Sequence, residues 1–166
     1  MPRLNELLLA QIARETTATR KAVERVPDGR DDWKPHPKSM QLGYLASLVA
    51  GMFGWVTMMI ERDHLDLGGD GGTPASTAAE RLALFDRSVE SATRALSKTT
   101  DEHLLTPWQL RMGGTVLDEK PRHIMITDTI SHLAHHRGQL TVYLRLLDQP
   151  IPSISGPTAD EGWQQQ

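Results

Sequence analysis

Three histidines fall within five positions in the stretch SHLAHHRGQL, near the carboxyl end of the chain. His132 and His136 are separated by four positions, so on an α-helix their rings lie about 40° apart around the axis. Imidazoles at this spacing can converge on one divalent ion beside the helix. The pair is therefore a candidate metal site, and two core-edge histidines hydrogen-bonded to their neighbours are the alternative.

The same helix face carries further polar side chains. Gln139 and Tyr143 fall within about 20° of the first histidine, and Asp128 lies one turn before it. A band of leucines adjoins this stripe, so we expect the stripe to face the interior of the protein. His135 projects to one side and is expected to be solvated or to lie at an interface, whereas Arg137 is expected to pair with a neighbouring acid.

Four helical segments, separated by breakers, are predicted to position these residues. They cover residues 2–26, 40–62, a third segment that starts at the capping box of Thr77 with Glu80, and 121–147. Between the third and fourth segments, TPWQLRMGGTVL predicts two short strands around a Gly-Gly turn. The predicted fold is an all-α four-helix bundle with one small β-hairpin, in a single domain over residues 1–166.

The composition narrows the classes of partner. The chain has 166 residues, a net charge of −3, no cysteine and no basic run, which argues against duplex nucleic acid or an anionic membrane surface. The longest apolar stretch, residues 44–60, is broken by glycines, which favours a buried helix. We therefore expect a soluble, cytoplasmic protein. In the Pro- and Gly-rich tail, Ile151, Ile154 and Trp163 are expected to pack onto the domain.

Two long stretches carry a family resemblance. SHLAHHRGQLTVYLRLLDQPIPSISGPTADE resembles the last helix and tail of the DinB-like superfamily, also called YfiT-like, and DDWKPHPKSMQLGYLASLVAGMFGW resembles the stretch leading into its second helix. The resemblance spans nearly the whole chain. It implies a four-helix bundle, commonly a homodimer, that holds a divalent metal with three histidines.

The resemblance also shows a departure at the implied metal site. Two of the implied ligands match His132 and His136 on the last helix. The third belongs to the second helix, in the segment that reads LASLVA here, and that position holds Leu48. With only two neutral imidazoles, an ion would be held mostly by water, so we expect weak or absent metal binding.

Three other side chains are candidates to replace the missing ligand. Asp128 is the nearest carboxylate in the sequence, His36 lies in the loop before the second helix, and Gln139 shares the stripe. His64 is too far away, since sixteen residues of continuous helix span about 24 Å.

Two functions remain open on the sequence. One is a metal-dependent enzyme that uses zinc or nickel and acts on an unidentified small molecule, because characterised relatives include transferases and isomerases that use mycothiol or bacillithiol. The other is a non-catalytic binding or stress-response protein that has lost its metal. The methionines of the second helix, Met52, Met58 and Met59, are expected to fill the core or to line an apolar pocket.

Overall fold

Six helices lie within residues 2–68 and 74–162, the parts of the chain that the computed structural model describes. They are α1 (Leu4–Glu24), α2 (Leu42–Gly51), α3 (Phe53–Glu61), α4 (Ala78–Lys98), α5 (Asp101–Leu105) and α6 (Arg122–Leu146). The helices predicted first, third and last correspond to α1, α4 and α6. The prediction of a single helix over residues 40–62 was wrong, because two helices form there. The short α5 was not predicted.

A bend of 49° separates α2 from α3. Gly51 and Gly54 flank the break, and glycines lower the resistance of a helix to bending. In addition, the hydroxyl of Ser88 on α4 donates a hydrogen bond to the carbonyl of Ala50 at 2.8 Å. A side-chain hydroxyl that bonds a helical carbonyl competes with the helix's own hydrogen-bond ladder and favours a bend at that point.

The long helices pack side by side around one apolar core. α4 contacts α1, α2 and α3, and α6 contacts the same three helices. Phe53 of α3 and Phe85 of α4 are almost fully buried, and their ring centroids are 6.1 Å apart in a tilted arrangement. Such aromatic pairs add directional packing to the burial of apolar surface. The core thus fixes α3, which forms one wall of the site, relative to its neighbours.

A three-stranded sheet covers part of α3 and α6. It consists of β1 (His64–Asp66), β2 (Pro107–Met112) and β3 (Thr115–Pro121), in the order β1-β2-β3. The antiparallel hairpin of β2 and β3 confirms the prediction, and its turn has φ values of +56° and +82° at Gly113 and Gly114. The parallel strand β1 was not predicted, since its three residues are too few to show a pattern.

Asp66 joins β1 to the turn of the hairpin. Its carboxylate accepts backbone N–H bonds from Gly68 at 2.9 Å, Gly113 at 2.9 Å and Gly114 at 2.8 Å. These three bonds stabilise the ionised form and lower the pKa of Asp66 below its usual value. A single surface carboxylate therefore holds the end of the sheet together.

Arg122 ties the start of α6 to the sheet. Its guanidinium is buried and donates to the carboxylate of Asp63, just before β1, and to the carbonyl of Pro107, each at 2.7 Å. It also bonds the hydroxyl of Thr106. Because one planar group reaches the start of two strands, the orientation of α6 against the sheet is closely fixed.

Two threonines define the starts of α4 and α5. Thr77 and Glu80 form the predicted capping box, with each side chain accepting the other residue's backbone N–H at 3.2 Å. Thr100 caps α5 by accepting the N–H of His103 at 3.3 Å. The start of α4 was predicted from the sequence because the Ser/Thr-x-x-Glu spacing is distinctive.

In the tail, Ile151 and Ile154 are partly buried and pack on the core, as predicted. Trp163 and the glycine-rich residues 69–73 lie outside the described part of the chain. Within residues 2–68 and 74–162, no helix by itself has the length and apolarity needed to cross a membrane, although α2 and α3 taken together, as a bent pair, do.

Candidate functional site

Contacts at the carboxyl half of α6 set the rotation of the helix and so the direction of its histidines. Arg137 pairs with the carboxylate of Glu15 at 2.7 Å and donates to the hydroxyl of Thr19 at 2.8 Å, which confirms the expected pairing with an acid. One and a half turns later, the hydroxyl of Tyr143 donates to the carbonyl of Met40 at 3.2 Å. These bonds attach α6 to α1 and to the loop before α2.

The two candidate ligands contact each other directly. The Nε2 atoms of His132 and His136 are 2.7 Å apart. His136 is buried, with 7% of its surface exposed, whereas His132 is exposed and its ring lies 5.9 Å from that of Trp55. The expected inward orientation therefore holds for His136, while His132 stands at the edge. His135 is exposed, as expected.

The hydrogen bonds indicate which ring nitrogens of the pair donate and which accept. Nδ1 of His136 lies 2.8 Å from Oε1 of Gln139, which can only accept, so Nδ1 carries the proton. The Nε2 lone pair of His136 then accepts the Nε2–H of His132. Both inner nitrogens are thus satisfied within the pair, and a metal would have to displace that proton.

The described residues do not fit a complete metal site. Two imidazole nitrogens on tetrahedral zinc lie about 3.3 Å apart, given Zn–N bonds of about 2.0–2.1 Å. The observed 2.7 Å is the length of a hydrogen bond. Within residues 2–68 and 74–162, no third His, Asp or Glu joins the pair in a group that could hold an ion.

Position 48 offers no ligand atom, and each of the three candidate replacement ligands already has another bonding partner. Leu48 is partly buried and packs against the apolar core. His36 is exposed, and its Nδ1 accepts the backbone N–H of Lys38 at 3.2 Å. The carboxylate of Asp128 pairs with the ammonium of Lys120 at 3.0 Å. The third candidate, Gln139, uses its carbonyl oxygen on His136.

The environment of His132 disfavours its charged form. Partial burial against α3 lowers the pKa of His132, and the nearby imidazoles of His136 and His135 lower it further. Near neutral pH His132 is therefore uncharged, which suits both its hydrogen bond to His136 and its contact with the indole of Trp55.

A cavity of about 410 Å³ lies beside His132, between α3, α6 and the sheet. Most of its wall is apolar and is formed by two tryptophans, three methionines and three leucines: Trp55, Trp108, Met58, Met59, Met125, Leu65, Leu67 and Leu110. Of the three methionines considered in the sequence, Met58 and Met59 line this cavity, whereas Met52 is fully buried in the core. The volume falls within the range of about 300–1,000 Å³ typical of small-molecule sites.

One side of the cavity is polar. Asp118 of β3 and Asp128 of α6 contribute to the wall near His132, and the ammonium of Lys120 bonds both carboxylates, at 2.9 and 3.0 Å. These bonds raise the pKa of Lys120, chiefly through Asp118. The ion cluster connects the hairpin to α6 beside the cavity.

Trp108 combines deep burial with an unsatisfied polar atom. Only 1% of its surface is exposed, and its Nε1–H has no hydrogen-bond partner among the described residues. A buried donor left without a partner is costly, so an acceptor on a bound molecule would gain from it. Sequence reasoning recognised Trp108 as a strand residue through the alternation with Leu110, but it could not place either residue beside α3.

Comparison with known proteins establishes the family. A sequence profile of the DinB family matches residues 1–165, and the chain belongs to this family. A DinB-like protein from Bacillus cereus ATCC 10987 shares the fold with a TM-score of 0.68 and 21% identity, over 89% of this chain and 95% of that one. A DinB-like protein from Bacillus subtilis gives 0.68 and 17%, over 96% and 99%. No curated protein matches the chain.

Proposed function

We propose that this DinB family protein binds a small, mainly apolar molecule in the cavity beside His132. The observation that supports it is the largely apolar space of about 410 Å³, whose wall includes a few polar groups, among them Asp118, Asp128 and His132. Cavities with a few oriented polar groups in an apolar wall are typical of small-molecule sites. Two of the lining residues also contact each other: the hydroxyl of Thr129 donates to the sulfur of Met59 at 3.7 Å.

A neutral, environment-sensitive dye tests this proposal. N-phenyl-1-naphthylamine should gain fluorescence on binding, and a Trp55→Ala variant should weaken the binding by removing one wall. Trp33→Ala, which changes a partly buried tryptophan outside the cavity, is the matched control and should bind the dye normally. Absence of a fluorescence gain with the unmodified protein, or an equal loss in both variants, would contradict the proposal.

Within this proposal, the histidine pair is an incomplete metal site, with two imidazole ligands, that binds zinc or nickel weakly. Two observations support weak binding. The Nε2 atoms of the two histidines bond each other at 2.7 Å, and position 48 holds the hydrocarbon side chain of leucine. We expect purified protein to lack stoichiometric metal and to melt at the same temperature with and without a chelator. Stoichiometric metal that is lost in His136→Ala but kept in His135→Ala would contradict an incomplete site.

A metal-dependent enzyme in a four-helix bundle, with a small thiol as co-substrate, is the second candidate. One observation favours it: Gln139 fixes the proton of His136 on Nδ1, so the Nε2 lone pair points toward His132, as it would toward a shared ion. Submicromolar nickel binding that depends on both His132 and His136 distinguishes this candidate from the first.

A further inference from the structure

We propose that the cavity selects a ligand with a positively charged head group, a protonated organic amine on an aromatic or aliphatic body. The inference rests on the proposed function, because it concerns the same cavity. The charges and aromatic rings of the cavity wall indicate the ligand class.

The charge of the wall is negative. Asp118 and Asp128 contribute to it, and among the described residues the wall contains no lysine or arginine. Lys120 does not line the cavity but donates to both carboxylates. With Lys120 included, the cluster keeps one net negative charge. A ligand ammonium can therefore bind the same two carboxylates as Lys120, whereas a ligand anion would be repelled by them.

The aromatic rings of the wall favour the same head group. The indoles of Trp55 and Trp108 both contribute to the cavity wall, and the partly buried Trp55 is the more accessible of the two. The face of an indole attracts an organic cation, and the attraction is strongest where water is excluded. The unpartnered Nε1–H of Trp108 adds a donor for an acceptor atom elsewhere on the ligand. An amine that also carries a hydroxyl, ether or carbonyl oxygen would satisfy both features.

The preference for an amine should change in opposite directions when the charge of Lys120 and the charge of Asp128 are removed. Removing its charge leaves two carboxylates without their resident ammonium, so a ligand amine should bind more tightly. Removing the charge of Asp128 leaves Asp118 and Lys120 as a neutral pair, so the preference for an amine should disappear. A ligand held by Lys120 as an anion receptor would show the reverse.

Three probes that differ only in the head group test the charge preference: 3-phenylpropylamine, 3-phenylpropan-1-ol and 3-phenylpropanoate. Binding to the full chain is measured by tryptophan fluorescence at low salt. We expect the amine to bind about tenfold more tightly than the alcohol, and the carboxylate to bind more weakly than either. High salt should reduce the advantage of the amine.

Three variants assign the preference to the cluster. Asp128→Asn should abolish the advantage of the amine, and Lys120→Gln should raise amine affinity about threefold. Glu119→Gln is the matched control, since Glu119 neighbours Asp118 on β3 but does not line the cavity, and it should change nothing.

The outcomes separate this inference from the proposed function. Equal affinities for the three probes, or tightest binding of the carboxylate, overturn the charge preference and leave the apolar cavity in place. Loss of amine binding in Lys120→Gln also overturns it. No binding of any probe overturns the proposed function and the inference together.

Discussion

The histidine pair and the cavity are neighbours on α6, and His132 belongs to both, but they are built in different ways. The pair joins two side chains of one helix whose inner nitrogens satisfy each other at 2.7 Å. The cavity takes its walls from α3, α6 and all three strands, and one of its lining residues, Trp108, has an Nε1–H without a partner among the described residues. The inner nitrogens of the two histidines are therefore already satisfied, while the cavity beside them is lined mainly by apolar side chains.

Leu48→His should have the largest effect, because it restores an imidazole where the DinB-like resemblance implies the third ligand. Nickel affinity measured by calorimetry should rise by about two orders of magnitude or more. This variant would turn the histidine pair into the stronger binding site of the two. Leu7→His, which adds an imidazole at an exposed position of α1, is the control and should not raise the affinity. An unchanged affinity in Leu48→His would show that position 48 does not face the pair.

Leu110→Trp should give the next largest effect, because the added ring occupies the cavity. Affinity for the neutral dye should fall about tenfold or more while the chain stays folded. Gln109→Trp places the same ring on the neighbouring strand position, whose side chain points to the opposite face of the sheet. Equal dye binding by the two variants would place the dye outside the cavity.

Asp66→Asn should loosen the sheet that forms one cavity wall. The pKa of Asp66 is lowered by the N–H bonds from Gly68, Gly114 and Gly113, so its contribution to stability is complete above the pKa of an unfolded aspartate. That contribution is lost as the pH falls through the lowered pKa of the folded state. The variant should melt at a lower temperature at pH 7, and the difference from the unmodified protein should shrink in acid. Asp32→Asn is the control, because the Asp32 carboxylate accepts only one long hydrogen bond, from Gln41 at 3.4 Å. A pH-independent difference would contradict this role of the carboxylate.

The smallest effect is expected at the imidazole of His132. Its proton NMR titration should give a pKa below the usual value of about 6.5, and stability should decrease slightly as the pH falls through this window. His136→Gln should raise this pKa only part of the way, because partial burial of His132 is the larger cause. A full return to the usual value would show that the neighbouring imidazole, and not burial, determines it.

The helices that the sequence predicted best are those with a local signal. The capping box of Thr77 and Glu80 and the apolar periodicity of α4 are both read within a few residues, and the structure has them as predicted. The bend between α2 and α3 was missed because Ser88, which contacts Ala50, lies 38 positions away along the chain. The strand β1 was missed because it depends on pairing with β2, and not on its own three residues.

The candidate site divides in the same way. The spacing of His132 and His136 already implied that the rings meet, since both lie on one helix. The cavity needs Leu65, Trp108 and Met125, which come from three separate elements, and no local pattern connects them. The position of Asp118 opposite Leu110 depends on the register of the hairpin. The sequence therefore predicted that the two histidines meet, but it could not predict the cavity beside them.

Methyl NMR of methionine tests most directly that small molecules bind in the cavity and not elsewhere. During titration with 3-phenylpropan-1-ol, the methyl signals of Met58, Met59 and Met125 should shift together, because these three side chains line the cavity. The signals of Met52, buried in the core, and Met112, exposed on the hairpin, should stay in place. Shifts confined to Met112, or no saturable shift at any of the three lining methionines, would contradict binding in the cavity.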